Sequence, residues 1–277
     1  RPRQDRPGSR HRDQPIMILD EIVAQKRTEI TAAQQRLPLE ELERRVRGHQ
    51  ASRNFRAALL ESGKRPALVA ELKRKSPSRG MLRERFDPVR LAQELQDSGA
   101  SALSVLTDER YFGGHLDFLR DAHDFTEVPL LRKDFILEAY QIYEAAHAQA
   151  DAVLLIAGLL DDRQLKQLRL LAEGFGMDAL VEIHQDDDAI RAVDSGASMI
   201  GVNARDLRDF SMHPEAIERL VPKIPKGAVV VAESGVQSAA DVKRLAELGV
   251  QAVLIGEALM TAPDVKVKVR ELFQGQW

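Results

Sequence analysis

Eight short apolar runs dominate the chain from residue 67 onward, and they alternate with stretches whose apolar residues recur at helical spacing. Successive runs begin roughly 20–35 residues apart, the size of one strand–helix unit. Near-continuous apolar strands alternating with helices indicate an α/β fold with a parallel sheet that helices cover. Eight such units predict a closed (β/α)8 TIM barrel. The predicted strands are Ala67–Lys73, Ala102–Leu106, Pro129–Lys133, Ala152–Ala157, Asp178–Ile183, Ser198–Asn203, Ala228–Ala232 and Ala252–Gly256.

The alternative for such a pattern is an open, doubly wound sheet. That fold usually has about five to seven strands and a glycine-rich turn after the first strand. Here the first turn reads RKSPSRG over Arg74–Gly80 and lacks the glycine spacing of a dinucleotide site. The strand count and this turn therefore favour the barrel.

The N-terminal part of the chain has a different character. Residues 1–15 contain five arginines and no aliphatic residue, so they cannot contribute to a core. We predict a disordered arm over residues 1–16. A single domain over residues 17–277 is expected to follow, with N-terminal helices over 18–63 preceding the barrel.

Composition excludes several classes of protein. The chain has 40 Lys+Arg against 43 Asp+Glu and no cysteine. It therefore lacks the basic excess of a general nucleic-acid binder and cannot use thiolate chemistry. The longest apolar run, Ala152–Leu160, is far shorter than the roughly 20 residues that span a bilayer. With no secretory leader visible, we expect a cytoplasmic protein without membrane or nucleic-acid partners, and the scattered histidines predict no metal site.

Charged residues stand where the predicted strands end, which is where this fold carries its chemistry. Because residues two apart on a strand face the same way, Glu71 and Lys73 share a face, while Lys133 and Glu182 enter the same barrel mouth. A barrel interior tolerates a charge only when it is paired or functional. If cations crowd Lys133, its lowered pKa would suit a general acid or a Schiff base. A structural ion pair at Glu71–Lys73 and a solvent-facing Lys133 are the alternatives.

Anion-binding features accompany these charges. Asn203 and Arg205 share a face after the sixth strand, and a guanidinium recognises carboxylate or phosphate groups. Small-residue turns at Ser234–Gly235 and Gly256–Glu257 follow the last two strands, the usual phosphate position of barrels. We expect a phosphorylated small molecule with a second anionic group. His184 shares the parity of Glu182, but the pattern favours an ordinary loop histidine.

Nine sequence blocks together resemble the indole-3-glycerol phosphate synthase family of tryptophan biosynthesis, from about residue 18 to 272. The blocks are ILDEIVAQKR (18–27), AELKRKSPSRG (70–80), SVLTDERYFGG (104–114), LLRKDFILEAYQIYEA (130–145), ADAVLLIAG (150–158), LVEIH (180–184), IGVNARDL (200–207), VAESGV (231–236) and LIGEALM (254–260). The segment NARDLRDF at 203–210 departs from the expected NNRNLxTF but keeps Asn203 and Arg205.

The resemblance implies a carboxy-lyase that closes an indole ring. Its substrate would be 1-(2-carboxyphenylamino)-1-deoxyribulose 5-phosphate, and the reaction loses CO2 and water without a metal or organic cofactor. Lys133 is implied to protonate the substrate carbonyl as the aryl carbon attacks. Glu182 would assist the dehydration, while Glu71 and Lys73 complete the proton transfers and hold the substrate.

The resemblance also implies the binding residues. Asn203 and Arg205 would face the anthranilate carboxylate. Phe112 and Phe135 would line the aromatic pocket, although ordinary packing is their alternative. Ser76 in the first loop and Glu233 would be further substrate contacts. Backbone N–H groups would bind the phosphate, at Ser234, Gly235, Gly256 and Glu257. The side chain of Glu257 would point away from the phosphate.

Other barrels remain as alternatives. Phosphoribosylanthranilate isomerase would be expected to use a Cys–Asp pair, which a chain without cysteine cannot provide. The tryptophan synthase α-subunit lacks the two lysines found here, Lys73 and Lys133. A non-catalytic barrel that binds a phosphorylated metabolite should have lost a strand-end charge, whereas this chain keeps all four, Glu71, Lys73, Lys133 and Glu182. Because the chain ends after the eighth helix, we expect one activity only. Other tryptophan-pathway enzymes are candidate partners.

Overall fold

Eight parallel strands form a closed barrel in the computed structural model, which describes residues 18–274. The predicted disordered arm lies outside the described residues. Around the barrel each strand pairs with its neighbours in sequence, and the first strand pairs with the last. The (β/α)8 prediction is therefore confirmed. The strands are β1 (Ala67–Leu72), β2 (Ala102–Leu106), β3 (Leu130–Lys133), β4 (Ala152–Ile156), β5 (Asp178–Ile183), β6 (Met199–Asn203), β7 (Val229–Glu233) and β8 (Ala252–Ile255).

Alternate residues of each strand fill the barrel. Val69, Leu131, Leu180 and Val231 pack in one buried cluster inside it, whereas their strand neighbours pack outward against the helices. This is the period of two that a pleated strand imposes. The next inward-facing residues toward the carboxyl ends of these strands are charged. They form one polar layer above the apolar interior, and they are Glu71, Lys133, Glu182 and Glu233.

Helices surround the barrel in the predicted order. They are α1 (Ile18–Arg36), α2 (Leu39–Arg45), α3 (Phe55–Glu61), α4 (Pro88–Asp97), α5 (Glu109–Phe112), α6 (Leu116–Phe125), α7 (Ala139–His147), α8 (Asp162–Gly174), α9 (Asp186–Ser195), α10 (Glu215–Leu220), α11 (Ala239–Glu247), α12 (Glu257–Met260) and α13 (Val265–Leu272). The short helices α5 and α12 were not predicted, because a four-residue helix shows no amphipathic period. Across residues 18–274, no helix combines the length and apolarity needed to cross a bilayer.

Two of the three N-terminal helices lie at opposite ends of the barrel, while α2 packs against α7. Phe55 and Leu59 of α3 are fully buried with the barrel-interior residues. The backbone N–H of Arg56 donates to the Asp178 carboxylate at the start of β5, at 2.8 Å, so α3 lies under the amino ends of the strands. Helix α1 instead reaches the carboxyl ends, where the charged layer lies.

Lys26 of α1 connects this helix to the barrel mouth. Its ammonium lies 2.9 Å from Asp108, which follows β2, and 2.9 Å from Asp134, which follows β3. All three side chains are almost fully buried. Burial favours neutral Lys26, but Asp134 and Asp108 outweigh it and raise the Lys26 pKa. The N-terminal helix is thus anchored by an ion-pair cluster next to Lys133.

We expect Lys26→Met to destabilise the fold by about 3–5 kcal/mol, because removing the lysine leaves the buried Asp108 carboxylate without its cation and Asp134 with Arg132 alone. The measurement is the free energy of unfolding in urea. Lys243→Met is the matched control, since Lys243 is exposed and lies 3.9 Å from an equally exposed Glu247. Equal stability of the two variants would contradict an anchoring role for Lys26.

Candidate active site

A cavity of about 460 Å³ opens at the carboxyl ends of the strands. Every residue predicted for the site lines it. These residues are Glu71, Lys73, Ser76, Phe112, Lys133, Phe135, Glu182, Asn203, Arg205, Glu233, Ser234, Gly235, Gly256 and Glu257. Within residues 18–274, no group of three or more His, Asp or Glu side chains is arranged to hold a metal ion.

Lys133 lies at the centre of the charged layer. Its Nζ atom lies 3.4 Å from Oε2 of Glu182 and 3.5 Å from Oε2 of Glu233. At the end of β1, which β2 separates from β3, Nζ of Lys73 contacts Oε2 of Glu71 at 2.7 Å. The cavity floor therefore carries two ammonium groups and three carboxyl groups, in one cluster around Lys133 and one pair of Lys73 with Glu71.

The electrostatic setting of Lys133 differs from the sequence-based hypothesis. Burial alone would lower its pKa, but the carboxylates of Glu182, Glu233 and Glu71 outweigh burial and raise the pKa. The hypothesis of a pKa lowered by neighbouring cations is wrong, because carboxylates surround this lysine. Lys133 is consequently a full cation at neutral pH, able to donate a proton to an oxygen placed above it.

The two carboxyl groups beside Lys133 are not equivalent. Burial would favour neutral Glu182, yet Lys133, His184 and Asn203 outweigh it and lower the Glu182 pKa. For Glu233, burial and then repulsion from Glu182 raise the pKa well above its usual range. Among the described residues neither Glu233 oxygen has a hydrogen-bond partner. The pKa values of the two carboxyl groups beside the lysine are therefore shifted in opposite directions.

Two glycines provide the space that these carboxyl groups occupy. A Cβ atom on Gly256 would lie 2.1 Å from Oε2 of Glu71, and one on Gly201 would lie 2.1 Å from Oε1 of Glu233. The strand register places Gly201 beside Glu182 and Asn203 beside Glu233. Gly256 therefore leaves room for the Glu71 carboxylate inside the barrel. This role is separate from the phosphate contact expected of its backbone N–H group.

Glu257 does not turn away as expected. Its carboxylate contacts Arg79 in the first loop at 2.7 Å and Arg205 at 3.2 Å. Arg205 also donates to Ser78 at 3.1 Å. The side chain turns into the mouth because two guanidinium groups from different loops compensate its charge. It ties the first loop to the segment that follows β6.

The turn after β7 has a left-handed backbone. Ser234 and Gly235 have φ angles of 66° and 83°. A side chain at Gly235 would also approach the Met212 methyl group, at 3.2 Å. A left-handed turn at a strand end brings the backbone close to the cavity, as anion-binding turns require.

One wall of the cavity is aromatic. The rings of Phe112 and Phe135 lie 6.1 Å apart and are inclined by 38°. Asp108, which Lys26 contacts, accepts the N–H groups of Tyr111 and Phe112 at 2.8 and 3.3 Å. Asp134 accepts the N–H of Phe135 at 2.8 Å. The anchored N-terminal helix therefore holds the carboxylates that position both rings.

Sequence reasoning missed several residues of this region. Arg79, Ser78 and Lys268 line the cavity, and His184 lies 3.1 Å from Glu182. The resemblance implied Ser76 of the first loop, but nothing in the loop sequence distinguishes Arg79 from the neighbouring Arg74 and Lys75. Lys268 lies on α13, far from any strand end, so strand parity could not identify it. The same parity did place His184 on the face of Glu182, and the loop-histidine interpretation set that signal aside.

The family model for indole-3-glycerol phosphate synthase matches residues 19–272. Curated proteins of that name are similar over nearly the whole chain. The Roseiflexus sp. protein is 45% identical, covering 93% of this chain and 98% of its own length. The Acetivibrio thermocellus protein is 43% identical, covering 92% and 98%.

Solved structures with low sequence identity share the fold. The 3-hexulose-6-phosphate synthase of Salmonella typhimurium aligns with a TM-score of 0.59 at 18% identity, over 75% of this chain and 97% of that one. KGPDC from Streptococcus mutans aligns with a TM-score of 0.57 at 15% identity, over 74% and 94%. These similarities support the barrel architecture alone.

Glu233→Gln tests whether the pKa of Glu233 is raised, through the pH dependence of the free energy of unfolding. The folded-state pKa of Glu233 is raised, so its stabilising contribution is present below the unfolded value of 4.5 and is lost as pH rises above it. We expect the free energy of unfolding of the wild type to fall relative to Glu233→Gln above that pH, by at most about 1.4 kcal/mol per pH unit. Urea titrations from acidic to neutral pH measure it.

The control for this experiment is Glu247→Gln, which changes an exposed glutamate on α11. Its stability difference from the wild type should stay nearly constant with pH. A constant difference for Glu233→Gln as well would contradict a raised Glu233 pKa.

Proposed function

The chain belongs to the indole-3-glycerol phosphate synthase family, and from this premise we propose that the cluster around Lys133 performs the ring closure. The family activity is a carboxy-lyase step of tryptophan biosynthesis. It converts 1-(2-carboxyphenylamino)-1-deoxyribulose 5-phosphate to indole-3-glycerol phosphate, with loss of CO2 and water. The observation that carries the residue assignment is the Lys133 ammonium, 3.4 and 3.5 Å from Glu182 and Glu233 on the cavity floor.

Lys133 donates the proton of the first step. As the aryl carbon that bears the carboxylate attacks the substrate ketone, the new C–C bond pushes an electron pair onto the carbonyl oxygen. The Lys133 ammonium protonates that oxygen to a hydroxyl group. The C–CO2 bond then breaks, and its electron pair returns aromaticity to the ring.

Glu182 and Glu233 serve the dehydration. The hydroxyl group needs a proton to leave as water, and an adjacent ring C–H must lose one. Glu182, whose pKa is lowered, is the carboxylate that accepts the proton. Glu233, whose pKa is raised, is the acid that supplies one. Opposite pKa shifts in neighbouring carboxyl groups support this division.

The remaining lining residues bind the substrate. Lys73, paired with Glu71, assists the proton transfers and holds the substrate at the mouth. The Ser234–Gly235 turn and the Gly256–Glu257 backbone are proposed to hold the phosphate, where the left-handed turn supports close approach. Asn203 and Arg205 receive the anthranilate carboxylate, and Ser76 closes from the first loop. The tilted pair Phe112 and Phe135 supports an aromatic ring in the cavity.

The wider setting follows from the same proposal. The enzyme acts on a phosphorylated small molecule. A cytoplasmic location, contacts with other tryptophan-pathway enzymes, the single domain over residues 17–277 and the disordered arm over 1–16 stay predictions.

Lys133→Ala should lower kcat by about 10²–10⁴-fold, the usual contribution of a positioned proton donor. Glu182→Gln should lower kcat by at least about 10²-fold. Indole fluorescence reports product formation, and circular dichroism checks the fold. Lys166→Ala, an exposed position on α8, is the control and should keep wild-type turnover. Near-wild-type turnover of folded Lys133→Ala would remove Lys133 from the proton-donor role.

Gly256→Ala should lower kcat by about tenfold or more, because a Cβ atom there displaces the Glu71 carboxylate, and small misplacements of catalytic groups are costly. Gly227→Ala is the matched control, since a Cβ atom at Gly227 meets nothing within 4 Å. Equal turnover of both variants would show that Glu71 has no required position.

A further inference from the structure

His184 is a buried histidine next to the proposed base. It follows β5 directly, two residues after Glu182, and its side chain is 19% exposed. Its Nε2 atom lies 3.1 Å from Oε1 of Glu182. No role in the proposed reaction has so far been given to this side chain.

The two oxygens of Glu182 have separate partners. Oε1 accepts a hydrogen bond from Nδ2 of Asn203 at 3.1 Å and also faces His184. Oε2 faces only Lys133 among these groups, at 3.4 Å. The Asn203 hydrogen bond and the His184 ring, whose Nε2 lies 3.1 Å away, both act on Oε1, and together they favour the orientation in which Oε2 lies toward Lys133.

We infer that His184 is a positioning residue, which holds the Glu182 carboxylate from behind and thereby orients its reactive oxygen. This inference rests on the proposed role of Glu182. His184 does not touch the substrate in this account, because the residues among 18–274 that line the cavity do not include it. Its effect therefore belongs to kcat and not to substrate binding.

Acidic groups face His184 from three elements. They are Glu182 on β5, Asp188 on α9 and Asp206 after β6, and Asp206 is itself paired with Arg208 at 2.6 Å. Burial disfavours the imidazolium, but these carboxylates outweigh burial and raise the His184 pKa above 6.5. The positive charge beside Glu182 is therefore present below that raised pKa and is lost as pH rises through it.

The His184 ring can be changed without removing the local helix cap. His184 caps this helix through its backbone: the N–H groups of His184 and Gln185 donate to Oδ2 of Asp188, at 3.1 and 3.3 Å. A substitution of the side chain leaves these bonds in place, so its effect reports on the contact with Glu182.

The test measures kcat and KM against pH for His184→Ala, His184→Gln and Glu182→Gln, and for the double variant His184→Ala/Glu182→Gln. We expect His184→Ala to lower kcat by about tenfold, the scale of one lost contact to a charged group, with KM within about twofold. His184→Gln keeps an N–H donor near Oε1 and should recover most of kcat. In the wild type, kcat should decline as pH rises and His184 loses its proton. The kcat of His184→Gln should not show this decline.

His213→Gln is the matched control. His213 is exposed and lies 3.2 Å from Glu215, so it is also a histidine–glutamate pair, but one outside the cavity. Its kcat and pH profile should equal those of the wild type.

The double variant separates positioning from a general loss of structure. If His184 acts through Glu182, the double variant should be no slower than Glu182→Gln alone. Full additivity, or wild-type kcat and pH profile in His184→Ala, would overturn the inference. Should His184→Ala fail to fold, the pH profile of His184→Gln decides, because an unchanged alkaline decline there contradicts the inference.

These results are distinct from a failure of the proposed function. Wild-type turnover in Glu182→Gln would overturn the role of Glu182 itself, and the inference with it. A slow Glu182→Gln beside a normal His184→Ala would overturn the inference alone.

Discussion

The charge balance inside the barrel mouth is the constraint on which the rest of the structure depends. Glu71, Glu182 and Glu233 are nearly fully buried, and they share two ammonium groups, Lys73 and Lys133. A buried charge is tolerated only when it is compensated, and Lys73, Lys133 and, below its raised pKa, His184 provide the cations near these carboxyl groups. Glu233 is the carboxyl group whose pKa is raised, so protonation of Glu233 lowers the cost of burial. The same balance that permits burial also produces a proton donor, a base and a neutral acid next to one another.

The surrounding fold maintains this balance. Gly201 and Gly256 provide space where the carboxyl groups of Glu233 and Glu71 lie. Lys26, from the N-terminal helix, compensates Asp108 and Asp134, whose backbone contacts position the segments that follow β2 and β3. The N-terminal helices are thus part of the environment of the site as well as of its stability. A barrel without them would leave Asp108 without the Lys26 cation, and Asp134 with Arg132 but without Lys26.

The fold and the charged residues at the strand ends could be predicted from local periodicity, whereas the resemblance implied other cavity residues such as Ser76, Phe112 and Phe135. Strand parity placed Lys133 and Glu182 in the mouth, and the structure puts them 3.4 Å apart. Strand parity does not show which side chains contact each other across strands, because these contacts depend on the strand register and on side-chain length. The hypothesis that cations crowd Lys133 therefore gave the wrong direction for its pKa, and the side-chain orientation expected for Glu257 from the resemblance was wrong. Strand parity placed His184 on the same face as Glu182. It could not show that the two side chains lie 3.1 Å apart.

The protonation state of Glu233 tests this account most directly. Carbon-13 NMR of protein labelled at the glutamate side-chain carboxyl carbons can report it, with the Glu233 signal assigned by its loss in Glu233→Gln. The account predicts a carboxyl shift that is still that of the neutral acid at neutral pH, while Glu182 has the shift of a carboxylate throughout. A Glu233 signal that titrates near its ordinary pKa would contradict the charge balance and the division of roles built on it.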